Sequence, residues 1–240
     1  MTPQQAYALQ ERTTPQATLE EAVRKALDDT RTSTETQTII AEELAELRTV
    51  TEQDYHHSLR VGLYSQAIAQ QLGLDERALL IAGLLHDIGK KNLPPELFRK
   101  KNWTDDDRKV MEQHVEETYN ILIRRQLSFT AEIALRHHQR QEHPYPEILP
   151  PFLHYYCHET KKLITHLSEI LAIADTYDAY QRVNGRNGHV PLTEEDIKEK
   201  MLAHHAHQQD TITKLYNEGI LGSGINGALK RYESNASTSL

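Results

Sequence analysis

The stretch Leu79–Lys91, LLIAGLLHDIGKK, is an apolar run that ends abruptly in His86-Asp87 and then in glycine and two lysines. Leu79, Leu80, Ile81, Ala82, Leu84 and Leu85 leave no polar face, which predicts a helix buried on all sides. Ile88-Gly89 is expected to break that helix, so His86 and Asp87 arrive at the edge of the core. A carboxylate there needs compensation. The candidates are a basic side chain, for which Lys90 and Lys91 stand close by, or a metal ion.

On the N-terminal side, His57, Val61, Tyr64, Ile68 and Leu72 recur at steps of three and four, a single helical stripe closed by Gly73. Residues 1–50 form a separate extension: a Gln- and Thr-rich arm over 1–17, a helix opened by a Thr18–Glu21 capping box, and a second helix carrying Ile39, Ile40, Leu44 and Leu47. These two helices are expected to pack on the main body or to join two copies as a homodimer. On the C-terminal side, Thr104–Asp107 caps a helix whose single side carries Val110, Met111, His114, Thr118, Ile121 and Leu122. Ile133 and Ala134 lie four residues before His137 and His138. A proline-rich loop follows, then a helix over Leu163–Tyr180 that contains Asp175, a Gly185–Gly188 turn, and a last helical region from Thr193 to near Leu221. No strand pattern appears, so the class is all-α. The main domain is placed at 51–232 and a disordered tail at 233–240.

The net charge of −8 argues against general attraction to polymeric nucleic acid or anionic lipid. No apolar run approaches the ~20 residues needed to span a bilayer. The first residues lack a signal-peptide core, and Cys157 is the only cysteine, so a cytoplasmic location is inferred.

The unusual total is 14 histidines against three phenylalanines. Separate helices each bring His or Asp onto an apolar stripe: His57, His86-Asp87, His114, His137-His138 and Asp175. One such histidine reads as a satisfied core residue; burying five imidazoles and two carboxylates together without a cation is costly. The joint pattern therefore predicts a metal centre. Imidazole plus carboxylate without thiolate suits Mn or Fe, and also Co, Ni or Zn, better than Ca or Mg. Seven candidate ligands exceed what one ion takes, so two divalent ions are expected, with Asp87 as the bridge. Two ions ~3.5–4 Å apart form a hydrolytic arrangement, beside which Lys90 and Lys91 stand as candidates to stabilise charge on a phosphate. His204, His205 and His207 read as a solvated helix surface, His154 and His158 as structure or surface. Asp178, one turn after Asp175, reads as support for a ligand or a cap.

The order H…HD…H…HH…D resembles the HD-domain metal phosphohydrolases, and within them the HD-GYP branch. The resemblance is carried by His57–Val61, the AGLLHDIGK of Ala82–Lys90, His114, His137-His138, and LAIADTYDAY of Leu171–Tyr180. It implies an HD-type helical bundle with an N-terminal helical extension and hydrolysis of a phosphate ester, with Asp87 and Lys90 in the catalytic centre. It makes His57, His86, Asp87 and Asp175 ligands of one metal. Asp87, His114 and one or both of His137 and His138 would hold the second, and Lys90 would contact the phosphate. The substrate would be a small phosphate ester, a nucleotide or a cyclic dinucleotide of the cyclic di-GMP type. Some members hold a third metal through a glutamate at the position of Gln53, which argues here for two.

The run after the paired histidines, Gln139–Pro146, departs from the branch: it is one residue shorter than E-R-x-D-G-x-G-Y-P and lacks both glycines. That gives the loop a stiffer wall and leaves two other readings open, a module that binds a nucleotide messenger without cleaving it and a nucleotide 5′-phosphomonoesterase. Candidate substrate contacts are Lys90, Lys91, Arg140, Tyr145, Arg182 and Arg186; the last two divide between phosphate contact and surface charge.

Overall fold

The computed structural model describes residues 16–100, 102–182 and 190–222, and among these the chain is helical with no strand. Helices α1 (Gln16–Asp29) and α2 (Thr34–Val50) precede α3 (Glu52–Leu72), the stripe that carries His57. The first helix starts ahead of the Thr18–Glu21 box, because Gln, Ala and Leu favour helix as well as Glu does. Thr51 caps α3 through the Asp54 backbone N–H, and Gly73 ends it in the left-handed region, φ 68°. Asp75 then caps α4 (Glu76–Leu85).

The α4 helix is the central element. Leu79, Leu80, Leu84 and Leu85 have no exposed surface, each burial contributing about 2 kcal/mol. On one side, Leu80 and Leu84 share a cluster with Leu19, Ala26, Ile40 and Leu47 of α1 and α2, so the apolar faces of the N-terminal helices are buried within the chain. On the other, Leu79 and Ala82 meet Val61, Tyr64 and Ile68 of α3 and the Ile164–Tyr177 stripe of α8 (His158–Gln181). Gly83 makes this crossing close: a Cβ there would lie 2.8 Å from Gly62 Cα and from Val61 O.

Three elements end differently from expectation, and two of the differences build the centre. The helix predicted across Val110–Leu122 is two, α5 (Asp105–Glu112) and α6 (His114–Arg124), divided where Gln113 donates to Val110 O. Next, α7 (Ser128–Arg136) stops just before His137. After α8, the C-terminal region is α9 (Glu194–His204), a 3-10 turn over Ala206–Gln208, and α10 (Gln209–Asn217). His205, read as solvated surface, is buried where α9 ends, its ring between those of His204 and His207. The arm up to residue 15, the Gly185–Gly188 turn, Arg186 and the tail lie outside the described residues.

Candidate metal centre

Three of the histidines reach the centre by the same local device. His86 follows the last turn of α4, and its Nδ1 is 2.8 Å from Gly83 O. His114 follows α5, with Nδ1 2.7 Å from Met111 O, and His137 follows α7, with Nδ1 against Ala134 O. In all three the imidazole turns back on the carbonyl three residues earlier, one of the acceptors a helix end leaves unpaired. A carbonyl only accepts, so Nδ1 donates in each and Nε2 is the nitrogen left to face the centre. His57 reaches the same state through a side chain: its Nδ1 is 2.7 Å from Asp178 Oδ2.

The Nε2 atoms converge on two carboxylates. Asp87 Oδ1 is 3.0 Å from His114 Nε2, while Oδ2 is 3.3 Å from His86 Nε2 and 3.5 Å from His57 Nε2. Asp175 Oδ1 is 3.0 Å from His57 Nε2 and 3.8 Å from His86 Nε2. Three buried triads, His57-His86-Asp87, His86-His137-Asp175 and His114-His137-His138, each bring ligand atoms within 4.8 Å of one another. The Nε2 atoms of His86, His114 and His137 are buried and make no hydrogen bond. Buried polar atoms are seldom left so, and imidazole nitrogens gathered around two anionic carboxylates are what a cation site needs. The residues fit a metal.

Electrostatics agree. Burial opposes charge on Asp87 and Asp175, yet the surrounding histidines, and Lys90 beside Asp87, hold both carboxyls well below the usual range. Burial also opposes a charged His86, but Asp87 and Asp175 outweigh it and push the imidazole up to about 10. His137, desolvated and next to His86, is pushed down to about 3. The pocket favours positive charge between its carboxylates.

Gly89 explains how α6 comes so near. A Cβ there would lie 2.1 Å from His114 O and 2.4 Å from Thr118 N, and Gly89 N–H donates to Thr118 Oγ1 at 2.8 Å. The glycine read as a helix breaker thus also admits the helix that carries His114.

Around these side chains, Asp178 also accepts from Arg60 Nε at 2.6 Å and Nη2 at 3.0 Å, and Arg182 Nε lies 3.4 Å away. The support read for Asp178 is therefore seen in contacts, and Arg182 sits in the same cluster. Lys90 Nζ is 2.6 Å from Asp87 Oδ2 and 2.9 Å from Asp54 Oδ1. Tyr145 stacks on His138, ring centroids 4.3 Å apart, and edges onto His114. Lys91 is not at the centre but tied to Glu43 and Glu46 of α2. Arg140 donates to Glu169 of α8 at 2.8 Å. Asp54 was not singled out from sequence; its place three residues before His57 was the available signal.

A family model described as "HD domain" matches residues 54–180, the span from the start of α3 to the end of α8. The chain belongs to the HD domain family. This HD domain is 31% identical over 143 residues to the cyclic di-GMP phosphodiesterase PA4108 of Pseudomonas aeruginosa, covering 57% of this chain and 32% of that one. It is 29% identical over 146 residues to 3′3′-cGAMP-specific phosphodiesterase 1 of Vibrio cholerae, covering 58% and 32%. The chain thus spans about a third of the length of the curated relatives it matches. Among solved structures it is similar to the HD domain of the L. monocytogenes phosphodiesterase PgpH, with TM-score 0.51, 16% identity, and 81% of this chain and 98% of that one covered. The same domain in complex with cyclic-di-AMP matches at TM-score 0.51 and 16% identity, over 80% and 96% of the two chains. These two likenesses establish the fold. No helix among the described residues is long and apolar enough to cross a membrane.

Proposed function

We propose that this HD domain is a metal-dependent phosphodiesterase of the HD-GYP branch that cleaves a cyclic dinucleotide. The observation that carries the reading is the convergence of Nε2 atoms and carboxylate oxygens from α3, α6 and α8 and from the ends of α4 and α7, with the Nδ1 of His57, His86, His114 and His137 each set against a defined acceptor. The names of the Pseudomonas and Vibrio relatives support a cyclic dinucleotide as the substrate class.

In this reading His57, His86, Asp87 and Asp175 hold one divalent ion and Asp87, His114, His137 and His138 the other, Mn or Fe being preferred and Co, Ni or Zn the alternatives. Bound there, the ions would supply an acidified water as nucleophile and charge for the attacked phosphoryl oxygen. The chain supplies the rest. The Gly83, Met111 and Ala134 carbonyls and Asp178 fix the imidazole tautomers. Lys90, kept charged by Asp54 and Asp87 although largely desolvated, offers an ammonium to the phosphate. Tyr145 walls the side of His138. A homodimer through α1 and α2 would have to use their outer polar faces, because their apolar faces are covered by α3 and α4.

The test is the purified chain, loaded anaerobically with Mn(II) or Fe(II), against cyclic di-GMP, 3′3′-cGAMP, cyclic di-AMP and nucleotide 5′-monophosphates. Cleavage of a cyclic dinucleotide, lost in Asp87→Ala together with bound metal, is expected. Hydrolysis confined to the monophosphates, or binding without cleavage at full metal occupancy, would replace this reading.

A further inference from the structure

The Lys90 ammonium lies between two carboxylates of different kinds. Asp87 is a candidate metal ligand, with His114 Nε2 on one oxygen and His57, His86 and Lys90 around the other. Asp54 touches none of the imidazole Nε2 atoms of the centre. One of its oxygens takes the Thr51 hydroxyl at 3.1 Å, and the other takes Lys90 Nζ at 2.9 Å. Both Asp54 and Lys90 keep about a seventh of their side-chain surface exposed, so the pair sits at the inner edge of the site rather than in bulk water.

An ammonium has three N–H donors on a stem with four rotors. Two donors engage Asp54 and Asp87, which fixes the direction of the third. If Asp87 were the only partner, the same carboxylate would have to serve the cations and aim the lysine. Asp54 separates the two duties. It comes from the first turn of α3, three residues before His57, so one helix start sets both a ligand and the lysine's anchor.

Resting on the phosphodiesterase reading above, we infer that Asp54 is a positioning residue: it holds the Lys90 ammonium where it meets a phosphate oxygen of the substrate.

The experiment is a double-mutant cycle on the full chain loaded with Mn(II), using Asp54→Asn, Lys90→Met and both together. Two quantities are read: kcat and KM for bis(p-nitrophenyl) phosphate, and the dissociation constant of inorganic phosphate by calorimetry. Lys90→Met should lower kcat about 100-fold and Asp54→Asn about tenfold, the kinetic equivalent of one charge-assisted hydrogen bond. The double variant should match Lys90→Met alone in both kcat and phosphate affinity, with metal content unchanged throughout. Multiplicative losses in the double variant, or loss of bound metal in Asp54→Asn, would overturn the inference. So would phosphate affinity indifferent to Lys90→Met. Should Asp54→Asn not fold, Asp54→Glu carries the same comparison, expected to keep more activity than Lys90→Met. If the parent turns over no phosphodiester, the phosphodiesterase reading fails, while the phosphate-binding cycle still decides the role of Asp54.

Discussion

Asp178 Oδ2 lies 2.7 Å from His57 Nδ1, a contact across 121 positions of sequence, and the same carboxylate is held by Arg60. The Arg60–Asp178–His57 line makes the tautomer of His57, itself a candidate ligand, depend on a residue that touches no other candidate ligand. Partners of this kind cost ~10–100-fold in metal affinity when removed. Asp178→Ala should therefore weaken Mn(II) binding by that amount in a calorimetric titration, and Arg60→Ala should do so less, since Asp178 stays in place. Unchanged affinity in Asp178→Ala would show that His57 is oriented without it.

Gly89 tests how tightly α6 is pressed onto the turn after Asp87. With a Cβ placed 2.1 Å from His114 O, Gly89→Ala must push α6 away by a visible amount. Overpacking of this sort costs ~1–3 kcal/mol. Urea unfolding should show that loss, and the variant should bind less metal because His114 moves with α6. Gly73→Ala provides the contrast: no atom lies near its Cβ position, so only the left-handed backbone is strained and metal binding should be kept.

Proton release accompanies metal uptake. His86 is pushed up to about 10, so at neutral pH it carries a proton in the metal-free protein that a ligating Nε2 cannot keep. A raised value means the proton is lost only as pH climbs toward 10, so apparent metal affinity should rise with pH below that value. One proton displaced corresponds to about tenfold per pH unit. Calorimetry in buffers of different ionisation enthalpy counts the protons released, and a count of zero near pH 7 would contradict the assignment of His86 as a ligand.

Glu43 ties the N-terminal helices to the two elements that frame the centre. Its carboxylate is 2% exposed and accepts from Lys91, next to Lys90, and from Arg125 just after α6, at 2.8 Å. Removing one partner of a buried pair costs ~3–5 kcal/mol. Arg125 is partly exposed, and solvent screening brings the expectation for Glu43→Ala to about 2–3 kcal/mol. Chemical denaturation checks this, with Glu42→Ala, at the exposed end of the same cluster, expected to change stability little.

Much of this was legible in the residues. Helical spacing placed His57, Val61, Tyr64 and Ile68 on one stripe, and the unbroken apolar run identified α4 as buried. The burial penalty on five imidazoles and two carboxylates pointed to one cluster. Asp178 was readable as support because it lies one turn past Asp175. Three things were not readable. Gln113 carries no breaker signal, so nothing in the residues marks the division of α5 from α6. Lys91 looked equivalent to Lys90 until a 3-10 turn sent the two to different partners, Asp54 with Asp87 and Glu43 with Glu46. His205 sits among polar neighbours, and only the end of α9 turns it inward.

The central claim is that side chains from five helices form one centre for two cations. Elemental analysis of anaerobically purified protein, with Asp87→Ala beside it, tests this most directly. Two equivalents of a divalent transition metal per chain are predicted for the parent, falling to one or fewer in the variant, which loses the shared carboxylate. A parent that holds no metal after reconstitution, or a variant that keeps both equivalents, would contradict the account.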